Sequence, residues 1–179
     1  MQACERSLSV CCCPSTGLPK PRIPSSAGTT RSTPTADLIA TQDAVILGRR
    51  SYDEWAPFWP ASEIEPFASF INGVPKHVAT STPLDRDWAN TTVIDGGLVE
   101  FVRDLKQRPG GDLGVHASIS VAQALLAADL VDELRLVIGP MIVGRGRRLL
   151  AGVPSIQLEL IRSEISPTGY LLVDYRVSR

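Results

Sequence analysis

Ala44-Val45-Ile46-Leu47-Gly48-Arg49-Arg50-Ser51-Tyr52-Asp53-Glu54-Trp55 is the stretch whose reading decides the fold. Four consecutive apolar residues stopped by a glycine suit a strand covered on both faces. Ser51–Ala56 then reads as a short helix ended by Pro57, with Tyr52 and Trp55 three apart on one side. A buried strand running straight into a helix is the opening of a βαβ unit.

The pattern repeats outward from there. A further helical turn or two is expected over Pro66–Ile71, followed by strands at His77–Thr80 and Thr91–Ile94. Leu98, Phe101, Val102 and Leu105 recur at helical spacing until Pro109-Gly110-Gly111 ends the helix. Leu113–Val115 is a strand leading into a helix over Ser120–Ala128. Strands alternating with helices at this spacing predict right-handed crossovers and a mostly parallel sheet flanked by helices. The last third changes period. Leu134/Leu136/Ile138, Ile156/Leu158/Leu160 and Leu171/Val173/Tyr175/Val177 alternate with mostly polar neighbours (Glu133, Arg135 and Val137; Gln157 and Glu159; Asp174, Arg176 and Ser178), and Ser166-Pro167-Thr168-Gly169 supplies a turn. The expected class is therefore α/β, with a C-terminal antiparallel ribbon completing the parallel sheet.

At 179 residues the chain suits one domain with a real core, and a net charge of −1 gives no general pull toward nucleic acid or anionic lipid. No apolar run approaches the roughly 18 residues a membrane helix needs. All four cysteines, Cys4, Cys11, Cys12 and Cys13, fall in the first thirteen residues. That clustering is not a disulfide framework, and three adjacent cysteines cannot converge on one tetrahedral zinc. A cytoplasmic protein without a metal is expected. Residues 1–35 differ in kind from the rest: Cys11–Thr35 is rich in Pro, Ser, Thr and Gly, with Leu18 and Ile23 its only large apolar residues. Such a segment buries too little surface to offset its ordering entropy, so it is expected to be disordered, and 36–179 to form the domain.

Chemistry is expected at three strand ends. At Gly48-Arg49-Arg50-Ser51, two cations stand where a helix begins, a place that favours anions. A phosphate gripped by the guanidinium groups would resolve that conflict; side chains bent into water are the alternative. Thr80-Ser81-Thr82 places three hydroxyls directly after a strand, suited to a ribose or its phosphate, although such residues are common in any turn. His116-Ala117-Ser118-Ile119-Ser120 opens another helix, with Ser118 or Ser120 as N-cap and free amides for a pyrophosphate; an ordinary capped helix and a core histidine are the bland readings. Ligands of open parallel sheets collect at the carboxyl ends of strands, where all three segments fall. There is no G-x-G-x-x-G after a strand, no Walker-A lysine and no Ser-His-Asp set. The basic loop Gly144–Arg148 could meet a substrate phosphate or a partner subunit, or be a solvated turn.

Val45–Tyr52 resembles the strand–Gly–Arg segment of the dihydrofolate reductase superfamily, and Pro75–Thr82 its next strand and hydroxyl loop. Leu130-Val131-Asp132-Glu133-Leu134-Arg135-Leu136 and Pro140–Leu149, with Gly144-Arg145-Gly146-Arg147-Arg148-Leu149, are similar to the signature of the RibD C-terminal domain family. The resemblance covers roughly Ala36–Arg179. It implies a dihydrofolate reductase-like, homodimeric, NADPH-dependent reductase of a small heterocyclic or ribosyl substrate, as in the 5-amino-6-(5-phosphoribosylamino)uracil reductase of riboflavin synthesis. Carried over, Gly48, Arg49, Arg50 and Ser51 would hold NADPH phosphates, Thr80, Ser81 and Thr82 the adenosine end, and His116, Ala117, Ser118 and Ile119 the pyrophosphate. Two departures stand out. Ala117 replaces a usual glycine, at a steric cost if its φ is positive. Residues 1–35 also show neither the family's first apolar strand nor its Ser-Leu-Asp-Gly-like loop. A nucleotide-binding or dimerisation domain impaired in catalysis by the loss of that strand is the alternative. None of the nearby carboxylates, Asp37, Asp43, Asp53 and Glu54, matches a catalytic position of the family.

Overall fold

The computed structural model describes residues 6–12, 34–142 and 146–178. Eight strands form one sheet: β1 (Leu8–Cys12), β2 (Gln42–Gly48), β3 (Lys76–Ala79), β4 (Thr91–Val93), β5 (Asp112–His116), β6 (Glu133–Ile138), β7 (Gln157–Ile165) and β8 (Leu171–Ser178). Among the described residues five α-helices accompany them: α1 (Pro34–Ile39), α2 (Arg49–Trp55), α3 (Phe67–Gly73), α4 (Leu98–Lys106) and α5 (Ile119–Ala127). The strand order is β4-β3-β2-β5-β1-β6-β8-β7. The first six in that order are parallel, and β8 and β7 are antiparallel to their neighbours. This is the expected parallel core with its antiparallel ribbon.

The consecutive apolar run in β2 serves both faces of the sheet. Ala44 and Ile46 pack with Leu113, Val115, Val121 and Leu125 on the side of α4 and α5. Val45 and Leu47 face the other way, against Tyr52, Ile71, Val78 and Trp88. Tyr52 donates its hydroxyl to the Arg86 carbonyl at 2.7 Å, which ties the loop after β3 to α2.

The expectation that the first strand is missing is corrected. Leu8–Cys12 is β1, inserted between β5 and β6 at the centre of the sheet, with Val10 in register with Val115 on one side and Leu134 on the other. Leu8 and Val10 are fully buried. Polar ties hold the strand's entry: the Leu8 amide donates to Asp132 at 2.7 Å, the Arg6 amide donates to the Lys106 carbonyl, and the Arg6 guanidinium pairs with Asp43. Five residues suffice because both neighbouring strands supply hydrogen bonds and both faces are covered. The expectation of disorder over 1–35 is corrected likewise for Leu8–Cys12, which is β1, and for Pro34 and Thr35, which open α1; for 1–5 and 13–33 it lies outside the described residues, as do Gly144 and Arg145 of the basic loop.

Candidate functional site

Because β3, β2 and β5 are adjacent, the three singled-out segments come together at one edge of the sheet. Gly48 lies in register with Ala79, and the Gly48 amide donates to the Ser118 hydroxyl at 2.9 Å. Ser118 donates to Ser51 at 3.0 Å, and Ser51 donates to the Ala117 carbonyl at 3.2 Å. This buried relay locks the start of α2 to the start of α5. Gly48 has an ordinary φ of −84°, and its bearing is on packing: a Cβ there would lie 3.3 Å from Val121 Cγ2, a tight contact that the valine would have to accommodate.

Ser118 stands at the N-cap position of α5, yet its side chain makes no capping bond because it is spent on Gly48 and Ser51. The first backbone bond of the helix runs from the Ala122 amide to the Ser118 carbonyl, so the amides before it have no intrahelical acceptor. Ala117 immediately upstream adopts φ +54°, the left-handed region that disfavours a Cβ. In the same turn of α5, Ser120 accepts from Arg147 at 2.7 Å, which draws the described part of the basic loop to this helix end.

The Thr80–Thr82 loop lines a groove of about 830 Å³ between the ends of β3 and β4, with Ile94, Asp95, Gly96 and Leu98 on its far side. Thr80 folds the loop on itself, accepting from the Thr82 amide at 3.1 Å. Arg49 reaches across from α2, donating from Nη1 to the Thr82 hydroxyl at 2.7 Å and from Nη2 to Asp85 at 2.6 Å.

Two candidates are placed differently from their expected roles. Arg50 is exposed and pairs with Glu54 one turn along α2, on that helix's own surface. The His116 side chain turns into the core, where its Nε2 lies 2.8 Å from Gln42 Oε1 and its ring packs against Trp55, Phe67 and Phe70. Burial, helped by the charge of Arg135, pushes its pKa down to about 4, so it is neutral near pH 7. It is a satisfied core histidine, and only its backbone reaches the strand end. The conflict inferred from two arginines at a helix start is resolved within the chain, by Asp53 and Asp85 for Arg49 and by Glu54 for Arg50. The carboxylates noted near the site are likewise paired: Asp37 with Arg162, Asp43 with Arg6. Sequence reading passed over Asp95-Gly96, whose position directly after a parallel strand was the available signal.

An open, mostly parallel sheet closed by an antiparallel ribbon, with its groove at the strand ends, is the dihydrofolate reductase-like fold. The family model for the RibD C-terminal domain matches residues 24–172, and the chain belongs to that family. It is similar to the uncharacterized protein YyaP of Bacillus subtilis (strain 168), 26% identical over 144 residues that cover 78% of this chain and 76% of YyaP. Among solved structures it resembles the diaminohydroxyphosphoribosylaminopyrimidine deaminase/5-amino-6-(5-phosphoribosylamino)uracil reductase of Thermotoga maritima, with TM-score 0.64 and 14% identity over 97% of this chain. The matched part is 57% of that longer chain. It also resembles dihydrofolate reductase from Enterococcus faecalis in complex with NADP(H), with TM-score 0.55 and 15% identity over 81% of this chain and 80% of the other. Among the described residues no helix is long and apolar enough to cross a membrane.

Proposed function

We propose that this chain is an NADPH-dependent reductase of a small heterocyclic or ribosyl substrate, acting in the cytoplasm. The observation that carries the reading is the juxtaposition of three parallel strand ends bearing a hydroxyl loop, a guanidinium and an uncapped helix start. The solved reductases with this fold support it, one of them complexed with NADP(H).

The residues fit such a cofactor. The groove beside Thr80–Thr82 has apolar walls in Ile94 and Leu98 for a planar base and hydroxyls for a ribose. The uncapped amides of α5 and the neighbouring Arg147 suit a pyrophosphate, since oriented N–H groups and the helix dipole favour an anion there. The bound cofactor would supply the hydride. The protein's part is to hold it and to orient it against the acceptor. The Gly48–Ser118–Ser51 relay fixes the two helix starts relative to each other, and so sets where the α5 amides stand with respect to Arg49. With β1 in the sheet, the ground for reading the domain as impaired by a missing strand is removed.

A homodimer formed through the C-terminal ribbon is part of the same proposal. Ile138, Met141, Ile142, Leu160, Ile161 and Ile165 are all exposed at this end of the sheet, where β7 is an edge strand. An exposed apolar edge of this size invites a partner.

NADPH fluorescence titration tests binding, and NADPH consumption with a phosphoribosylaminopyrimidine or dihydrofolate tests turnover. Saturable binding with consumption is expected. Binding without consumption of either substrate would leave a nucleotide-binding domain in place of a reductase of these classes, and no binding would remove the proposal.

A further inference from the structure

Arg49 is the only guanidinium near the groove that reaches the hydroxyl loop among the described residues, and each of its three nitrogens already has an acceptor. Nε donates to both oxygens of Asp53 at 2.8 Å, one turn along the same helix. Nη1 donates to the Thr82 hydroxyl at 2.7 Å and to the Pro83 carbonyl at 2.6 Å. Nη2 donates to Asp85 at 2.6 Å. The partners differ in kind. Asp53 is fixed by helix geometry, and its contact lies at the Nε side. Asp85 sits on the exposed segment after the hydroxyl loop, and its side chain is 83% exposed against 25% for Arg49. A carboxylate held at Nη2, next to the loop hydroxyls, stands where an incoming phosphate oxygen would make the same charge-assisted contact. Asp95, in the groove lining, adds a second negative charge.

We propose that Asp85 is a specificity-determining residue: it occupies the anion place on Arg49 and so narrows the chain's preference for a dinucleotide carrying a ribose 2′-phosphate over one carrying a free 2′-hydroxyl. The inference rests on the groove being a dinucleotide site. A 2′-phosphate bound beside the loop hydroxyls competes with Asp85 for Nη2 and meets its negative charge, whereas a 2′-hydroxyl leaves the Arg49–Asp85 pair intact. Displacement is feasible because an exposed ion pair is held weakly. Asp53 would keep Arg49 oriented during the exchange.

The test compares the dissociation constants of 2′,5′-ADP and ADP by calorimetry for the full chain, for Asp85→Ala and for Asp87→Ala. Asp87 is an exposed carboxylate of the same segment that is not a partner of Arg49, so its loss changes the charge without vacating Nη2. Asp85→Ala is expected to tighten 2′,5′-ADP about tenfold and to move ADP by less than about twofold, since one competing contact and one nearby repulsion are removed. Asp87→Ala is expected to move 2′,5′-ADP by less than about threefold, because an exposed charge that is not paired with Arg49 is screened by solvent and salt. If ADP binds but Asp85→Ala leaves the ratio of the two constants unchanged, or Asp87→Ala shifts it equally, Asp85 is not the determinant and the site reading stands. If none of the three proteins binds either probe, the dinucleotide reading falls, and the role of Asp85 with it.

Discussion

Ala117 carries φ +54° at the point where β5 turns into α5. A Cβ in that region costs roughly 1–2 kcal/mol, against about 0.5–1 kcal/mol of chain entropy when glycine takes its place. Ala117→Gly is therefore expected to stabilise the fold by roughly 0.5–1 kcal/mol, a rise in Tm of about 2 °C for a domain of this size. A lower Tm in a thermal melt would mean that the methyl group earns its place through packing. The steric conflict at Ala117 was legible in the sequence, because a family glycine is replaced there. The direction of the His116 side chain was not: one histidine at a strand end gives no sign of which face it takes, and Gln42, 74 positions away, is its partner. The ionic partners within α2 were open to reading. Arg49–Asp53 and Arg50–Glu54 both lie at i,i+4, the spacing at which helix side chains meet, and they relieve the charge conflict that a phosphate was invoked to resolve.

At the scale of elements, strands and helices with strong period were legible, from the apolar run of β2 to the alternation of β8. The failure was β1. Leu8-Ser9-Val10-Cys11-Cys12 is only five residues long, two of them cysteines, and cysteines so placed invite weighing as ligands or disulfide partners before they are weighed as small apolar residues. Its strand character comes from tertiary pairing with β5 and β6, which a local window does not contain. The ribbon gives an element-scale prediction. If β7 and its surroundings form a dimer interface, light scattering should report a dimer, and Leu160→Glu with Ile165→Glu should yield a folded monomer. A stable interface buries on the order of 1,600 Å² in total, so two charges at its centre are enough to part it. A wild-type monomer at micromolar concentration would contradict the ribbon as an interface.

Across the whole molecule, what makes a site is the strand order. Residues 48, 80 and 118 are far apart in sequence, yet β3-β2-β5 adjacency sets their strand ends about 4.8 Å apart per step along one edge of the sheet. The sequence carried the local features of each end and the rule that ligands gather there. It did not carry the contacts between them, namely the Gly48–Ser118–Ser51 relay and the reach of Arg49 to Asp85, since these depend on which strands are neighbours and on side-chain direction. The most direct test is an amide-resolved NMR titration of the full chain with NADPH. Shifts centred on Gly48, Thr80–Thr82 and Ile119–Val121, with the ribbon β7–β8 unmoved, are the expected result; saturable shifts centred elsewhere, or none at all, would contradict a dinucleotide site at the strand ends.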